Sequence, residues 1–221
     1  MGGRLTRASL LRTAGAAAAA LGLGRLGGRS DAFAGDSVSC VLTPEQTEGP
    51  YYIAKEKLRR NITDGRPGTP LTLRLAVVDA KTCRPIRGAA VDIWHCDASG
   101  IYSGFGAGRA SRTFMRGIQR TNANGVATFK TVYPGWYQGR TVHIHVKVHV
   151  RGNVVHTGQL YFPDRVTDAA YGKAPYTNRP NRDVRNADDV VFRNGGKRSL
   201  LDLRRNAAGY VGSIRMGVRR S

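Results

Sequence analysis

The sequence is poor in acid, in cysteine and in long apolar runs, and each shortage excludes something. Only 15 Asp and Glu stand against 35 Lys and Arg, a formal charge of +20 over 221 residues. Yet there is no basic helix and no basic run of five: the 28 Arg are scattered as singles and pairs. That is a solvated Arg-rich surface, and no nucleic-acid partner is expected from it. Three cysteines allow one disulfide and one leftover thiol, too few for a disulfide-built scaffold. The run Thr13–Gly24 is small and apolar but only 12 residues long, whereas a membrane-spanning helix needs roughly 20, so no membrane span is expected. Beyond it there is no helical period of useful length, no internal repeat, no linker and no second domain.

What is present begins with an export signal. Arg4, Arg7 and Arg12 make a positive start, the apolar run follows, and Ala32-Phe33-Ala34 has the small-x-small form of a cleavage site. Thr6-Arg7-Ala8-Ser9-Leu10-Leu11-Arg12 is similar to a twin-arginine export box with Ala8 in place of the second Arg. Cleavage after residue 34 leaves a mature charge of +16 and an extracytoplasmic, secreted protein. In that oxidising compartment a disulfide persists. Cys40 and Cys83, both on loop-like segments, are the pair expected to bridge, and Cys96, at a strand end, is expected to be a buried small hydrophobe.

The remaining chain is punctuated by 28 Gly and 9 Pro between segments rich in Val, Thr, Ile and aromatic residues. Residues 35–69 are polar and turn-rich and read as an N-terminal arm packed on the domain. Residues 70–221 hold strands at Leu71–Val78, Ala89–Trp94, Gly125–Val132, Thr141–Val150 and Val154–Phe162, the last two joined by Arg151-Gly152-Asn153 in the spacing of a hairpin. A short helix is expected at Pro163–Tyr171, with weak apolar helical spacing around Leu200–Leu203. The fold class is all-β: a β-sandwich of mostly antiparallel strands with long loops and little helix.

Side chains alternate across a strand, so His143, His145, Lys147 and His149 share one face and Val142, Ile144, Val146 and Val148 the other. Two imidazoles two apart on one strand are half of a metal site, although His-x-His occurs with zinc, copper and iron alike. The missing residues narrow the choice. Zinc hydrolases add a third His or a carboxylate and iron(II) oxygenases need a carboxylate, but no Asp or Glu lies near this pair in sequence. Tyrosines do: Tyr133 and Tyr137 in Tyr133-Pro134-Gly135-Trp136-Tyr137, and Tyr102 after Trp94-His95-Cys96-Asp97-Ala98-Ser99-Gly100-Ile101. A phenol titrates near pH 10, so it becomes a ligand only when a hard, highly charged cation displaces its proton. Iron(III) meets that requirement.

Over roughly residues 40–190 the chain resembles the intradiol ring-cleavage dioxygenases, the family of catechol 1,2-dioxygenases and protocatechuate 3,4-dioxygenase. The resemblance rests on Val91-Asp92-Ile93-Trp94-His95 leading to Gly100-Ile101-Tyr102-Ser103, on Pro134 to Tyr137, on Arg140-Thr141-Val142-His143-Ile144-His145, and on Gln159-Leu160-Tyr161-Phe162. It implies an Fe(3+) cofactor held by Tyr102, Tyr137, His143 and His145, with Tyr137 released as phenolate when substrate binds. Arg140 matches the family's catalytic arginine and Gln159 its neighbouring glutamine, while Gly49-Pro50-Tyr51-Tyr52 matches a segment beside the substrate pocket. Tyr133, His95, His149 and His156 match no ligand position.

The implied reaction is cleavage of a catecholic ring by O2 to a cis,cis-muconate-type product, with Arg140 stabilising charge that develops as the ring is attacked. The positive surface suits polyphenolic or lignin-derived anions as partners. Two features depart from family members that act on free catechol: the long helical N-terminal segment is replaced by about 35 mature residues, and the spacer from Tyr137 to His143 is shorter. The competing readings are a secreted transthyretin-like or immunoglobulin-like binding module without catalysis, and a copper or zinc enzyme using His143, His145 and His149.

Overall fold

Leucines at 71, 73 and 75 alternate with Thr72 and Arg74, and this period-two pattern places the first strand with one face in the core. The computed structural model describes residues 42–54, 56–106 and 111–219. Its strands are β1 (Pro70–Asp79), β2 (Ala90–Trp94), β3 (Arg116–Arg120), β4 (Val126–Val132), β5 (His143–Val150), β6 (Asn153–Tyr161), β7 (Asp202–Arg205) and β8 (Tyr210–Val218), with two short helices, α1 (Asp164–Tyr171) and α2 (Val190–Arg193).

The strands form two four-stranded sheets, ordered β4-β1-β8-β7 and β3-β2-β5-β6. Every pairing is antiparallel except β1 with β8. The core between the sheets takes Leu71, Leu73, Leu75, Val77 and Phe129 from one and Val91, Ile93, Ile144, Val146 and Val148 from the other. The all-β, mostly antiparallel sandwich is therefore the fold. The β5–β6 turn has Arg151 at φ +52° and Gly152 at φ +87°, the left-handed pair of a type I′ hairpin whose twist matches its strands.

Three strands depart from the sequence expectation. β3 is short, polar and interrupted by Gly117; β8 dilutes its apolar residues with Gly212, Ser213, Arg215 and Gly217. The spacing at Leu200–Leu203 is not helical but leads into β7, which pairs with β8. The strand expected from Thr141 starts at His143, because the chain turns at Gln138-Gly139 and bends at Val142.

The polar face of β5 is covered rather than open to solvent. His143, His145 and Lys147 are all buried. The described residues of the N-terminal arm bridge to both sheets, Leu42 to Gly217 and Asn61 to Lys130 in one and Leu58 to Ile118 in the other. Gln46 N–H donates to the Thr157 carbonyl at 3.0 Å, Lys147 pairs with Glu48, and His156 meets Glu45 at 2.8 Å. The buried polar strip is thus a chamber outside the sandwich core.

Cys83 is disulfide-bonded, and Cys96 is a buried free thiol. Cys40, the expected partner of Cys83, and the export segment 1–34 lie outside the described residues. No helix among the described residues is long and apolar enough to cross a membrane.

Candidate metal centre

Three strand-borne or loop-borne elements converge on the chamber. β5 supplies His143 and His145, the turn before it supplies Tyr137, and the loop after β2 supplies Tyr102. Asp97 builds that loop: its Oδ1 accepts from the Ser99 and Ile101 N–H groups at 2.9 and 3.0 Å, and its other oxygen accepts from Arg66 Nε at 2.9 Å. Gly100 sits at φ +78°, and a Cβ there would lie 2.1 Å from the Trp136 carbonyl oxygen. The Tyr102 and Tyr137 loops can approach this closely only across a glycine.

The geometry groups the four expected ligands. His143 Nε2 lies 3.1 Å from His145 Nε2, and the Tyr137 hydroxyl lies 3.2 Å from His143 Nε2. The Tyr102 ring is 5.6 Å from that of Tyr137 and 6.2 Å from that of His145. The Tyr102 hydroxyl is buried with no hydrogen-bond partner, as is His145 Nδ1. Tyr51 stacks on Tyr102 at 4.2 Å and meets Tyr137 edge-on at 6.2 Å, which places Gly49-Pro50-Tyr51-Tyr52 beside the group.

The hydrogen-bond pattern fixes the tautomer of His143. The Thr141 carbonyl is 2.7 Å from His143 Nδ1 and can only accept. Nδ1 therefore carries the hydrogen and Nε2 presents its lone pair to the chamber. Burial, followed by the nearby Arg140 charge, lowers His143 to about 3. Burial and then His143 hold His145 well below the ordinary imidazole range. Burial raises Tyr102 well above the usual phenol value and raises Tyr137 to about 12, with Arg140 pulling Tyr137 the other way.

The His143 lone pair, the adjoining His145 imidazole, the buried Tyr102 phenol and the partly buried Tyr137 phenol form a compact set of N and O donors. A hard trivalent cation fits it, because it displaces both phenolic protons and accepts both imidazole nitrogens. Among the described residues no three His, Cys, Asp or Glu cluster as a metal-binding group, so tyrosines are needed to complete the set. His149 is only partly buried and lies beyond a β-bulge after Val148, which separates it from His143 and His145.

Arg140 and Gln159 adjoin the group. Arg140 Nη2 donates to Gln159 Oε1 at 2.5 Å, and Gln159 Nε2 donates to the Thr47 carbonyl at 3.0 Å. Arg140 Nε donates to Asp189 Oδ2 at 2.8 Å. Asp189 was not among the expected site residues, and its sequence neighbourhood carries no signal that could have found it. His95 is bound to the Cys96 carbonyl and Thr131 Oγ1, Tyr133 lies in the sandwich core, and His156 holds Glu45, so these three serve packing.

The sequence model of the Dioxygenase family matches residues 47–170, more than half of the chain. A solved intradiol ring-cleavage dioxygenase from Tetranychus urticae superposes with a TM-score of 0.78 at 39% identity, covering 81% of this chain and 95% of that one. The dioxygenase domain of a carbohydrate-binding fusion protein from Streptomyces sp. SirexAA-E superposes with a TM-score of 0.64 at 33% identity, covering 82% and 100%. Catechol 1,2-dioxygenase 1 of Acinetobacter lwoffii is 32% identical over 101 residues, 43% of this chain and 32% of that protein. The chain belongs to the intradiol ring-cleavage dioxygenase family. Its alignments span about a third of the length of the curated catechol 1,2-dioxygenases they match.

Proposed function

We propose that this chain is an exported non-haem iron(III) enzyme that cleaves catechol-type rings between their two hydroxyl-bearing carbons with O2, giving cis,cis-muconate-type products. One observation carries the reading: His143 Nε2 lies 3.2 Å from the Tyr137 hydroxyl and 3.1 Å from His145 Nε2, beside the buried, unpartnered Tyr102 hydroxyl. Tyr102, Tyr137, His143 and His145 would hold the metal. Ferric iron held there would supply the redox chemistry that makes a catecholic ring reactive toward O2.

The protein groups divide the remaining work. Tyr137 is less buried than Tyr102, so it is the phenolate free to swing out, and its oxygen is then a base for a catechol proton. Tyr102, packed under Tyr51, stays in place. Arg140 keeps a fixed positive charge next to the reacting ring, where it stabilises negative charge that appears only during attack. Gln159 and Asp189 restrain its guanidinium, and Tyr51 walls the chamber on the side of Tyr102 and Tyr137.

Metal analysis with a visible spectrum before and after adding catechol tests the reading. Stoichiometric iron, a phenolate-to-iron absorption band and a shift on catechol addition are expected; a colourless, iron-free protein purified without chelators would overturn it. Export is part of the proposal, and protein recovered from the culture medium should begin near Gly35 rather than at Met1.

A further inference from the structure

We infer that Asp189 is the positioning residue for Arg140, aiming its guanidinium at the reacting ring; the inference rests on the role given to Arg140 above. Asp189 lies beyond the residues matched by the family model, 47–170, and reaches the site from the C-terminal part of the chain.

The Asp189 carboxylate is fully enclosed, and each oxygen has two donors. Oδ1 accepts from the Val191 and Phe192 N–H groups at 2.8 and 2.9 Å, which caps α2. Oδ2 accepts from Arg140 Nε and from the Thr141 N–H, each at 2.8 Å. Burial alone would raise this carboxyl, but Arg140 and the N–H donors outweigh it and hold Asp189 below the usual carboxylate range. A single ionised group thus joins α2 to the two residues that lead into β5.

The result is a guanidinium with a defined plane. Asp189 takes Nε on one edge and Gln159 takes Nη2 on another, so two acceptors from different elements restrain its rotation. The Arg140 charge held in this way acts on Tyr137 and His143. Thr141 is restrained in the same way: its Oγ1 donates to Asn186 Oδ1 at 2.7 Å, and Asn186 Nδ2 donates to the Phe162 carbonyl at 2.8 Å. The segment from Asn186 to Phe192 therefore sets the entry to β5.

A purely structural role for Asp189, the α2 cap, predicts a different outcome, and Asp189→Asn separates the two. The amide keeps an oxygen for the Val191 and Phe192 N–H groups but turns an NH2 donor toward two donors, Arg140 Nε and Thr141 N–H. We expect Asp189→Asn to keep its iron and its catechol-induced spectral change, with KM little altered and kcat lowered by about tenfold or more. The Arg140→Ala/Asp189→Asn double variant should be no more than about threefold slower than Arg140→Ala alone, because the second change acts through a residue already removed. A crystal structure of Asp189→Asn should show the Arg140 guanidinium displaced.

A near wild-type kcat, multiplying losses in the double variant, or an unmoved Arg140 overturns the inference. A wild-type protein that neither binds iron nor cleaves catechol would remove the role of Arg140 instead, and the position of Arg140 in the Asp189→Asn crystal would still decide whether Asp189 positions it.

Discussion

The indole of Trp94 lies flat on the imidazole of His145, with ring centroids 4.9 Å apart and planes 4° from parallel. The two residues are direct partners across β2 and β5, so the sheet register itself delivers the stack. Tyr52 packs against the same indole, tilted by 52° with ring centroids 4.8 Å apart. The chemistry-bearing ring is therefore held by the strand beneath it and by an aromatic partner whose own position is fixed.

Trp94→Ala should remove this support. The cavity would cost about 3–5 kcal/mol in folding stability, measurable by denaturant unfolding, and the freed His145 should release metal faster to a chelator. Trp94→Phe keeps a stacking ring and should lose less on both counts. Equal metal retention in Trp94→Ala and wild type would show that the stack does not orient His145.

Tyr102→Phe deletes one oxygen and keeps the ring that Tyr51 packs on. With metal removed from both proteins, its thermal stability should hold or rise relative to wild type, since the deleted hydroxyl is buried without a partner. Iron content and visible absorption should fall or shift. Unchanged iron, colour and activity would remove Tyr102 from the metal centre.

Arg140→Ala should retain iron, colour and the catechol-induced spectral change while losing at least about two orders of magnitude in turnover. Loss of the iron itself would make the residue structural, and near wild-type turnover would end its catalytic assignment.

Asp92 provides a pH test outside the ligand set. Burial, and then the nearby Glu56 carboxylate, raise it from 3.8 to about 7. The folded protein therefore keeps a proton through a window in which the unfolded chain has lost it, and this group's contribution makes stability fall as pH rises from about 4 to about 7. Asp92→Asn removes the ionisation, so it should raise the melting temperature at pH 8 relative to wild type and change it little at pH 4. Melting curves at the two pH values check this, and equal shifts at both would contradict it.

Much of this centre was legible because its signals are local. Alternation along His143–Val150 has period two whatever the rest of the fold does, so the sharing of a face by His143 and His145 followed from spacing alone. The absence of a neighbouring carboxylate, and the presence of Tyr102 and Tyr137 on turn-rich segments, pointed to iron(III) by the same local logic. β3, β7 and β8 were not legible. The three strands are short, polar or glycine-diluted, and β8, on which β7 pairs, takes its place in the sheet from β1, remote in sequence.

The sequence by itself determined the strand periodicity, the sandwich class and the residue types able to bind a hard cation, because these depend on side-chain chemistry and on spacings of a few residues. Tertiary structure alone decided that Glu48 and Tyr52 close over Lys147 on the polar face of β5, that Trp94 rather than a polar group lies against His145, and that a carboxylate 49 positions away grips Arg140. The reason is physical. Burial and ion pairing are properties of the neighbours that folding brings in, and no local pattern around Arg140 or Asp189 specifies that they meet.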